Sequence, residues 1–423
     1  LERFVYTYQR PGTQMMLVSY DHQLNITQPF TSDAREIVDG AVALEKHTGQ
    51  ALDRDAERRR AIDEIEQAKT PSSAVVVAES YADRLQTELK LPIEALRNLM
   101  EPLSGLPGRK ALLYISNGLP KTPGEDLFYL IDEKFPRQHV RTQAMVYDMD
   151  HTYRELAQSA NRAGVTFYTL DAGGLASFDS LSAASGGSAR GGSYVVVDSV
   201  NKANFQAPMQ SLAHDTGGFA LTNSNNVELP LDQLAQDFSS YYSIGINAPS
   251  DAGMRFHKVR IDVKRRGVVL RYRKGFQYLS LLDRLGHGVT AALTLNQEVN
   301  PLDARIVFGK ATPQDGESTL VAVQVQIPIG QLTLVPVEKS YLGRVRVAVQ
   351  VADAEGRLSA PTWSEPLQLK IPATEVDHAK GQNMTYDVQL AMRPGDQKIA
   401  VGVVDMLSGT LSFTTTRVNV PAD

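Results

Sequence analysis

A chain of 423 residues, 42% of them apolar, exceeds what one hydrophobic core organises and predicts two or three domains. A formal net charge of -5 and a pI of about 6.0, with Lys and Arg interleaved among acids, argue against nucleic acid as a partner. The chain has no cysteine, which excludes disulfides, thiolate metal sites and a cysteine nucleophile and assigns no compartment.

No run approaches the ~20 apolar residues needed to cross a bilayer. The start, Leu1-Glu2-Arg3, is not that of a secretory signal, and its entry straight into a helix over 1–9 is expected of a processed or truncated beginning. Residues 15–20 and 24–30 are short strand-like runs joined by Asp21, His22 and Gln23, and Thr31-Ser32-Asp33 with Glu36 marks a helix start. The stretch 49–69 has apolar Leu52, Ala56, Ile62 and Ile65 at helical spacing, and its charge run reads as a solvated face. A second long helix over 73–103 is expected to kink or divide at Leu91-Pro92.

The most informative stretch is GRKALLYISNGLP at 108–120. Its apolar run 111–115 has the length and flanks of a buried parallel strand, and ligands of open α/β sheets gather at the carboxyl ends of such strands. A second excursion, 121–149, carries Phe128, Tyr129, Ile131 and Phe135 for packing, and a helix over 151–162 leads into a second buried strand over 165–170. The two strands are expected side by side. Residues 172–193, rich in Gly, Ser and Ala, form either a plain surface loop or a binding lid. Helices near 205–215 and 229–238 flank a short strand at 219–221, and the runs 241–247, 257–263 and 268–273 read as an antiparallel ending to the sheet.

Beyond 277 helical periodicity fades. Strand runs at 304–308, 320–327, 344–351, 366–371, 384–392, 398–405 and 411–420 alternate with turns at 353–356 and 393–396, the pattern of a β-sandwich with Trp363 as a core plug. The expected division is an α/β domain over 1–278 with helical insertions near 49–106 and 121–150, a linker at 279–286, and an immunoglobulin- or fibronectin-like sandwich over 287–423.

No HExxH, GxSxG, P-loop or strand-linked GxGxxG occurs, and no pair of carboxylates stands out for acid–base work. A polar residue follows each buried strand: Asp21, then Ser116 and Asn117, then Asp171. Either these converge as oxygen ligands of the kind Mg²⁺ or Ca²⁺ takes, or each caps its strand or the next helix.

The segments 107–120 (PGRKALLYISNGLP), 160–172 (ANRAGVTFYTLDA) and 212–218 (LAHDTGG), with 239–246 (SSYYSIGI) and 256–264 (FHKVRIDVK), resemble the von Willebrand factor A-related proteins of the acidobacterial type. The resemblance covers 1–278 and implies a Rossmann-like, mostly parallel sheet with flanking helices. It also implies a metal-ion-dependent adhesion site, from which this sequence departs. Asn117 matches the third-loop Asp, no Gly-Gly-Thr loop precedes the strand 111–115, and the Asp-x-Ser-x-Ser segment is missing. The site is therefore expected to be degenerate, with Asp21, Ser116, Asn117 and Asp171 as its remnants and no bound cofactor. The resemblance further implies a strand ahead of the helix 1–9, so that residues upstream of Leu1, or another polypeptide, are expected to fill a place in the sheet.

The function expected is that of a non-enzymatic protein-binding or scaffold protein of the bacterial cell envelope or exterior. Its partner-binding loops are expected at Asn117, Gly118, Asp171, Gly173 and Gly174. The alternatives are a permanent structural subunit of a larger multiprotein assembly and, last, a hydrolase.

Overall fold

The computed structural model describes residues 2–9, 11–44, 51–172, 191–222, 228–245, 255–313 and 318–421. It is a mixed α/β chain of two compact units, Leu1–Asn98 with Arg109–Gln277, and Leu99–Gly108 with Tyr278–Asp423.

In the first unit, helix α1 (Glu2–Tyr8) precedes an antiparallel hairpin of β1 (Met15–Asp21) and β2 (Gln23–Thr31), which forms a two-stranded sheet of its own. Helix α2 (Ala34–Leu44) starts where the Asp33 carboxylate accepts the Arg35 N–H at 2.8 Å, and packs Ala34 and Ile37 against Val5. Helices α3 (Ala51–Gln67) and α4 (Pro71–Gly105) follow. The second runs undivided through Pro92, so that of the expected kink or division the division does not occur, with Leu89, Ile93, Leu99 and Met100 buried on one side. That apolar stripe holds the helix together across the lost N–H.

Strand β3 (Lys110–Ser116), helices α5 (Glu125–Lys134) and α6 (Asp150–Ala163), strand β4 (Val165–Asp171), helix α7 (Gly191–Thr216) and strand β5 (Ala220–Leu221) complete a parallel sheet of order β3-β4-β5. The register places Lys110 beside Val165 and Ser116 beside Asp171. Phe128, Ile131, Leu156, Phe167, Met209 and Leu212 form the buried interior between sheet and helices. Gly218 sits so close to the sheet that a Cβ there would fall 1.9 Å from the Phe167 carbonyl oxygen.

Helix α8 (Glu228–Ser239) and the short strands β6 (Phe256–Lys258) and β7 (Gly275–Gln277) end the unit. The antiparallel ending expected over 241–273 is reduced to this pair. Backbone groups in between bond elsewhere: the Ile261 N–H donates to the Tyr272 hydroxyl and the Lys274 N–H to the Asp215 carbonyl. Residues 241–245 are not in a strand, and 246–254 lie outside the described residues.

The second unit opens where a linker was expected, with helix α9 (Leu281–Thr294). Ser280 caps it: its hydroxyl accepts the Asp283 N–H at 3.1 Å while the Asp283 carboxylate accepts the Ser280 N–H at 3.0 Å. Strands β8 (Arg305–Pro313), β9 (Thr319–Pro328), β10 (Val335–Val337), β11 (Ser340–Ala352), β12 (Thr362–Trp363) and β13 (Leu367–Pro372) precede a one-turn helix α10 (Val376–Ala379). Strands β14 (Asn383–Met392), β15 (Gly395–Asp405) and β16 (Leu411–Val420) complete the unit. They make a three-stranded sheet, β14-β9-β8, and a six-stranded sheet built on β10-β11-β15-β16.

The two-residue period of the strands assigns their faces. Val345, Val347 and Val349 with Ile399, Val401 and Val403 meet Val321, Val323 and Val325 in a core between the sheets. The intervening Ala348, Ala400 and Val404 turn to the other face, against Leu285 and Val289 of α9. Small residues are required there, since a Cβ on Gly402 would lie 2.5 Å from the Val289 side chain. Trp363 is not a core plug: it is 38% exposed on the two-residue strand β12, alongside Gly286. Among the described residues no helix is long and apolar enough to cross a membrane.

Candidate functional site

The carboxyl ends of β3 and β4 bring Ser116, Asn117 and Asp171 together. Ser116 and Asp171 are register partners, and the Ala172 N–H donates to the Ser116 carbonyl at 2.9 Å, closing the ladder at this edge. The chain after Ser116 then turns at Gly118, whose φ of +105° puts it in the region that glycine adopts freely. Gly118 is buried under Phe205 of α7, where a Cβ would come within 2.9 Å of that side chain. Asn117 is left exposed at the tip.

Helix α7 holds this loop by backbone and side chain. The Leu119 N–H donates to the Phe205 carbonyl at 3.1 Å and the Lys121 N–H to the Asn204 carbonyl at 3.0 Å. The Asn204 amide clamps Thr122, accepting its N–H and donating to its carbonyl, each at 2.8 Å. Two residues on, the Gln206 amide donates to the Asp171 carboxylate at 2.9 Å. The one buried amide of Asn204 thus satisfies both backbone groups of Thr122 and fixes the loop at that residue.

This donor set holds a single carboxylate, that of Asp171. Mg²⁺ and Ca²⁺ take carboxylate-rich oxygen ligands. Here Asp171 already accepts from Gln206, and position 117 offers a neutral amide. Asp21 does not join them by strand pairing: it lies at the tip of the separate hairpin, paired with Gln23 and 3.7 Å from the His22 imidazole. Among the described residues no group of three or more His, Asp or Glu side chains is placed to hold a metal. Gly173 and Gly174, and the loop to 190, lie outside the described residues.

A buried ion network was concealed in the sequence. Arg58 of α3, expected on a solvated face, has a side chain only 12% exposed; its Nε donates to Asp126 at 2.7 Å and its Nη2 to Asp198 at 2.9 Å. Burial pulls the guanidinium down, but Asp126 and then Asp198 outweigh it and hold Arg58 above its ordinary range. The network ties α3, α5 and α7, and through α7 it steadies the loop after β3.

At the opposite end of the sheet the charges are mostly positive. Arg109 lies over the Phe238 and Tyr241 rings, and Asp237 accepts from Arg271 and from the Tyr168 hydroxyl. Burial, and then the neighbouring Arg273, pull the Lys110 ammonium down to about 8.

A serine hydroxyl meets a histidine ring in the second unit. The Ser104 hydroxyl lies 2.7 Å from His287 Nδ1, and it also lies 2.6 Å from the Glu101 carbonyl. Among the described residues no carboxylate contacts the ring, so the pair lacks the orienting acid of a hydrolytic triad.

No family model matches the chain, and no curated protein matches it. Solved structures overlap it in part. A β-glucuronidase of Bacteroides uniformis aligns with 28% of this chain and 13% of its own, at 9% identity and a TM-score of 0.20. The structural-genomics target SoR45 aligns with 29% of this chain and 90% of its own, at 15% identity and a TM-score of 0.20. A β-glucosidase of Listeria innocua aligns with 64% of this chain and 33% of its own, at 12% identity and a TM-score of 0.16. Similarity at this level assigns the chain neither a fold family nor an activity.

Proposed function

We propose that this chain is a von Willebrand factor A-related protein of the acidobacterial type that acts as a non-enzymatic protein-binding or scaffold protein of the bacterial cell envelope or exterior. The observation that carries the reading is the edge formed by Ser116, Asn117 and Asp171. It presents a hydroxyl, an exposed amide and a carboxylate already bonded to Gln206, on a loop clamped by Asn204. Such an edge suits the hydrogen-bonding surface of a protein better than a cation. On this reading the first unit carries a Rossmann-like sheet with a degenerate adhesion site, and the sandwich is the immunoglobulin- or fibronectin-like tail.

A second reading, a permanent subunit of a larger assembly, draws on exposed apolar side chains. Tyr242 is 98% and Ile244 69% exposed on one short segment, and Val269 is 82% exposed. Affinity capture of the intact envelope complex, with mass identification of its members, tests both. Partners that exchange on dilution support a scaffold, partners that never dissociate a permanent subunit, and the absence of any protein partner refutes both. Calorimetry with Mg²⁺ and Ca²⁺ is expected to show no specific heat. A heat that Asp171→Ala abolishes would overturn the degenerate site.

A further inference from the structure

Between β6 and β7 the chain makes a finger, 259–274, closed at its base where the Val259 N–H donates to the Lys274 carbonyl at 2.9 Å. Further along, the Ile261 N–H meets the Tyr272 hydroxyl, and the chain turns back at Arg265, Arg266 and Gly267. Gly267 has a φ of +76°, and a Cβ there would meet nothing within 4 Å, so the tip stands in open space. Residues 262–269 are exposed without a break.

The composition of the finger runs against that of the chain. Acids outnumber Lys and Arg overall, 48 to 43, yet 255–274 carries nine Lys and Arg residues and one acid, Asp262. Asp262 pairs with Arg260 at 3.1 Å, and Asp237 pairs with Arg271 at 3.0 Å. Among the described residues no carboxylate pairs with Lys258, Lys264, Arg265, Arg266, Arg273 or Lys274. Apolar side chains sit among these cations: Val263 is 46%, Val268 44% and Val269 82% exposed, on both limbs beside the tip. A solvated charge run accounts for the cations and leaves three uncovered valines within eight residues unexplained. The foot of the finger adds tyrosines. Arg109 donates to the Asp237 carbonyl beside Arg271 and lies over the Tyr241 ring, next to the exposed Tyr242.

We propose that the finger 259–274 docks this chain on an anionic lipid surface, with its cations on the headgroup phosphates and Val268 and Val269 below them. Such a surface matches both sets of side chains together. Lys and Arg stems let the charged ends spread to the headgroups while apolar neighbours enter the boundary beneath, and tyrosines settle at the same level. A nucleic-acid backbone pairs with the cations and leaves the valines in water. A projecting tip enters a fluid interface without the matching pocket that a folded protein partner has to provide. The inference goes beyond the protein-binding reading and does not depend on it.

The test is sedimentation of the chain Leu1–Asp423 with vesicles of phosphatidylcholine containing about 30% phosphatidylglycerol, and with vesicles of phosphatidylcholine alone. Binding is expected to the first and to be at least about tenfold weaker to the second, and raising NaCl from about 0.1 M to about 0.5 M should weaken it by about tenfold or more. Each cation near such a surface is worth about fivefold, so the triple variant Lys264→Gln, Arg265→Gln, Arg266→Gln should bind about a hundredfold more weakly. Val268→Ser with Val269→Ser should lose about tenfold at unchanged charge.

No sedimentation with the anionic vesicles, equal binding to both vesicles, or a triple variant that binds like the parent overturns the proposal. So does a valine variant that binds like the parent, which reduces the finger to a cation patch for any polyanion. A protein captured by the parent and lost by the triple variant makes the occupant a protein and overturns it as well. All five substituted side chains are exposed, and parent-like circular dichroism is expected of both variants; should either fail to fold, the lipid and salt dependence of the parent decides. Vesicle binding by a chain that captures no protein refutes the scaffold reading alone.

Discussion

Asp126→Asn removes one charge from a site with little access to water. The Asp126 side chain is 2% exposed, and its carboxylate takes the Arg58 Nε–H at 2.7 Å. At an effective dielectric of about 20, two charges about 4 Å apart attract by about 4 kcal/mol. Breaking a buried pair by removing one partner costs about 3–5 kcal/mol, because the remaining ion is stranded. Here Arg58 keeps Asp198 at 2.9 Å, and the asparagine oxygen still accepts a bond, so the loss is expected at about 2.5 kcal/mol. With a urea m-value of about 3 kcal/mol per molar, the midpoint followed by far-ultraviolet circular dichroism should fall by roughly 0.8 M. The double variant Arg58→Met with Asp126→Leu replaces the pair by apolar side chains and should lie closer to the parent than the single variant does. A single variant within about 0.2 M of the parent, or a double variant as unstable as the single, would refute the account of the network as a paired buried charge.

Three further expectations follow from other sites. Asp405 is buried in the second unit and accepts N–H groups from Thr333 at 2.8 Å and Leu407 at 2.9 Å. Burial pushes its carboxyl up, but these backbone donors prevail and hold it below the usual range. Its stabilising contribution is therefore complete above the unfolded carboxylate pKa and is lost as pH falls through the lower folded value. Urea midpoints read on the fluorescence of Trp363, the chain's single tryptophan, should fall with acid more steeply in the parent than in Asp405→Asn.

Lys110 has the opposite sense. Its folded pKa, about 8, lies below that of an unfolded lysine, so the unfolded chain binds more protons between the two values and stability rises with pH across that window. Urea midpoints at about pH 7 and about pH 10 should show a rise in the parent that is smaller in Lys110→Met. Gly218→Ala places a methyl 1.9 Å from the Phe167 carbonyl and should cost at least about 3 kcal/mol, read as a lost or sharply lowered melting transition.

The legible parts of the sequence were those whose signal is local. The valine alternation of β11 and β15 shows in the text because the sandwich core reads every second residue. The seven longer strands of the second unit were all expected near where they lie, while β10 and β12, of three and two residues, are too short to carry a period. Ser280 and Asp283 spell a capping box, a local helix signal inside a stretch whose lost periodicity suggests a linker. Arg58 was hidden for a different reason: among Arg59, Arg60 and neighbouring acids nothing marks it as buried, and its partners lie 68 and 140 residues away. The strand-end residues Ser116 and Asp171 could be named from sequence because a parallel pair places its carboxyl ends together. Gln206 and Asn204 could not, since an amide in the middle of a helix carries no sign of the loop it will hold.

The assignment of Leu99–Gly108 to the second unit has a consequence for anyone dividing the gene. Its Gly105 lies so near the His287 backbone that a methyl there would fall 2.4 Å from the carbonyl oxygen, and Ser104 meets the His287 ring. The peptide crosses between the units at 98, at 108 and again at 277, so no single cut yields two intact pieces. A fragment ending at 277 carries an orphaned strip of its neighbour, and one beginning at 278 lacks that strip. Supplying residues 99–108 as a separate peptide to the 278–423 fragment would show whether the missing piece can be returned from outside.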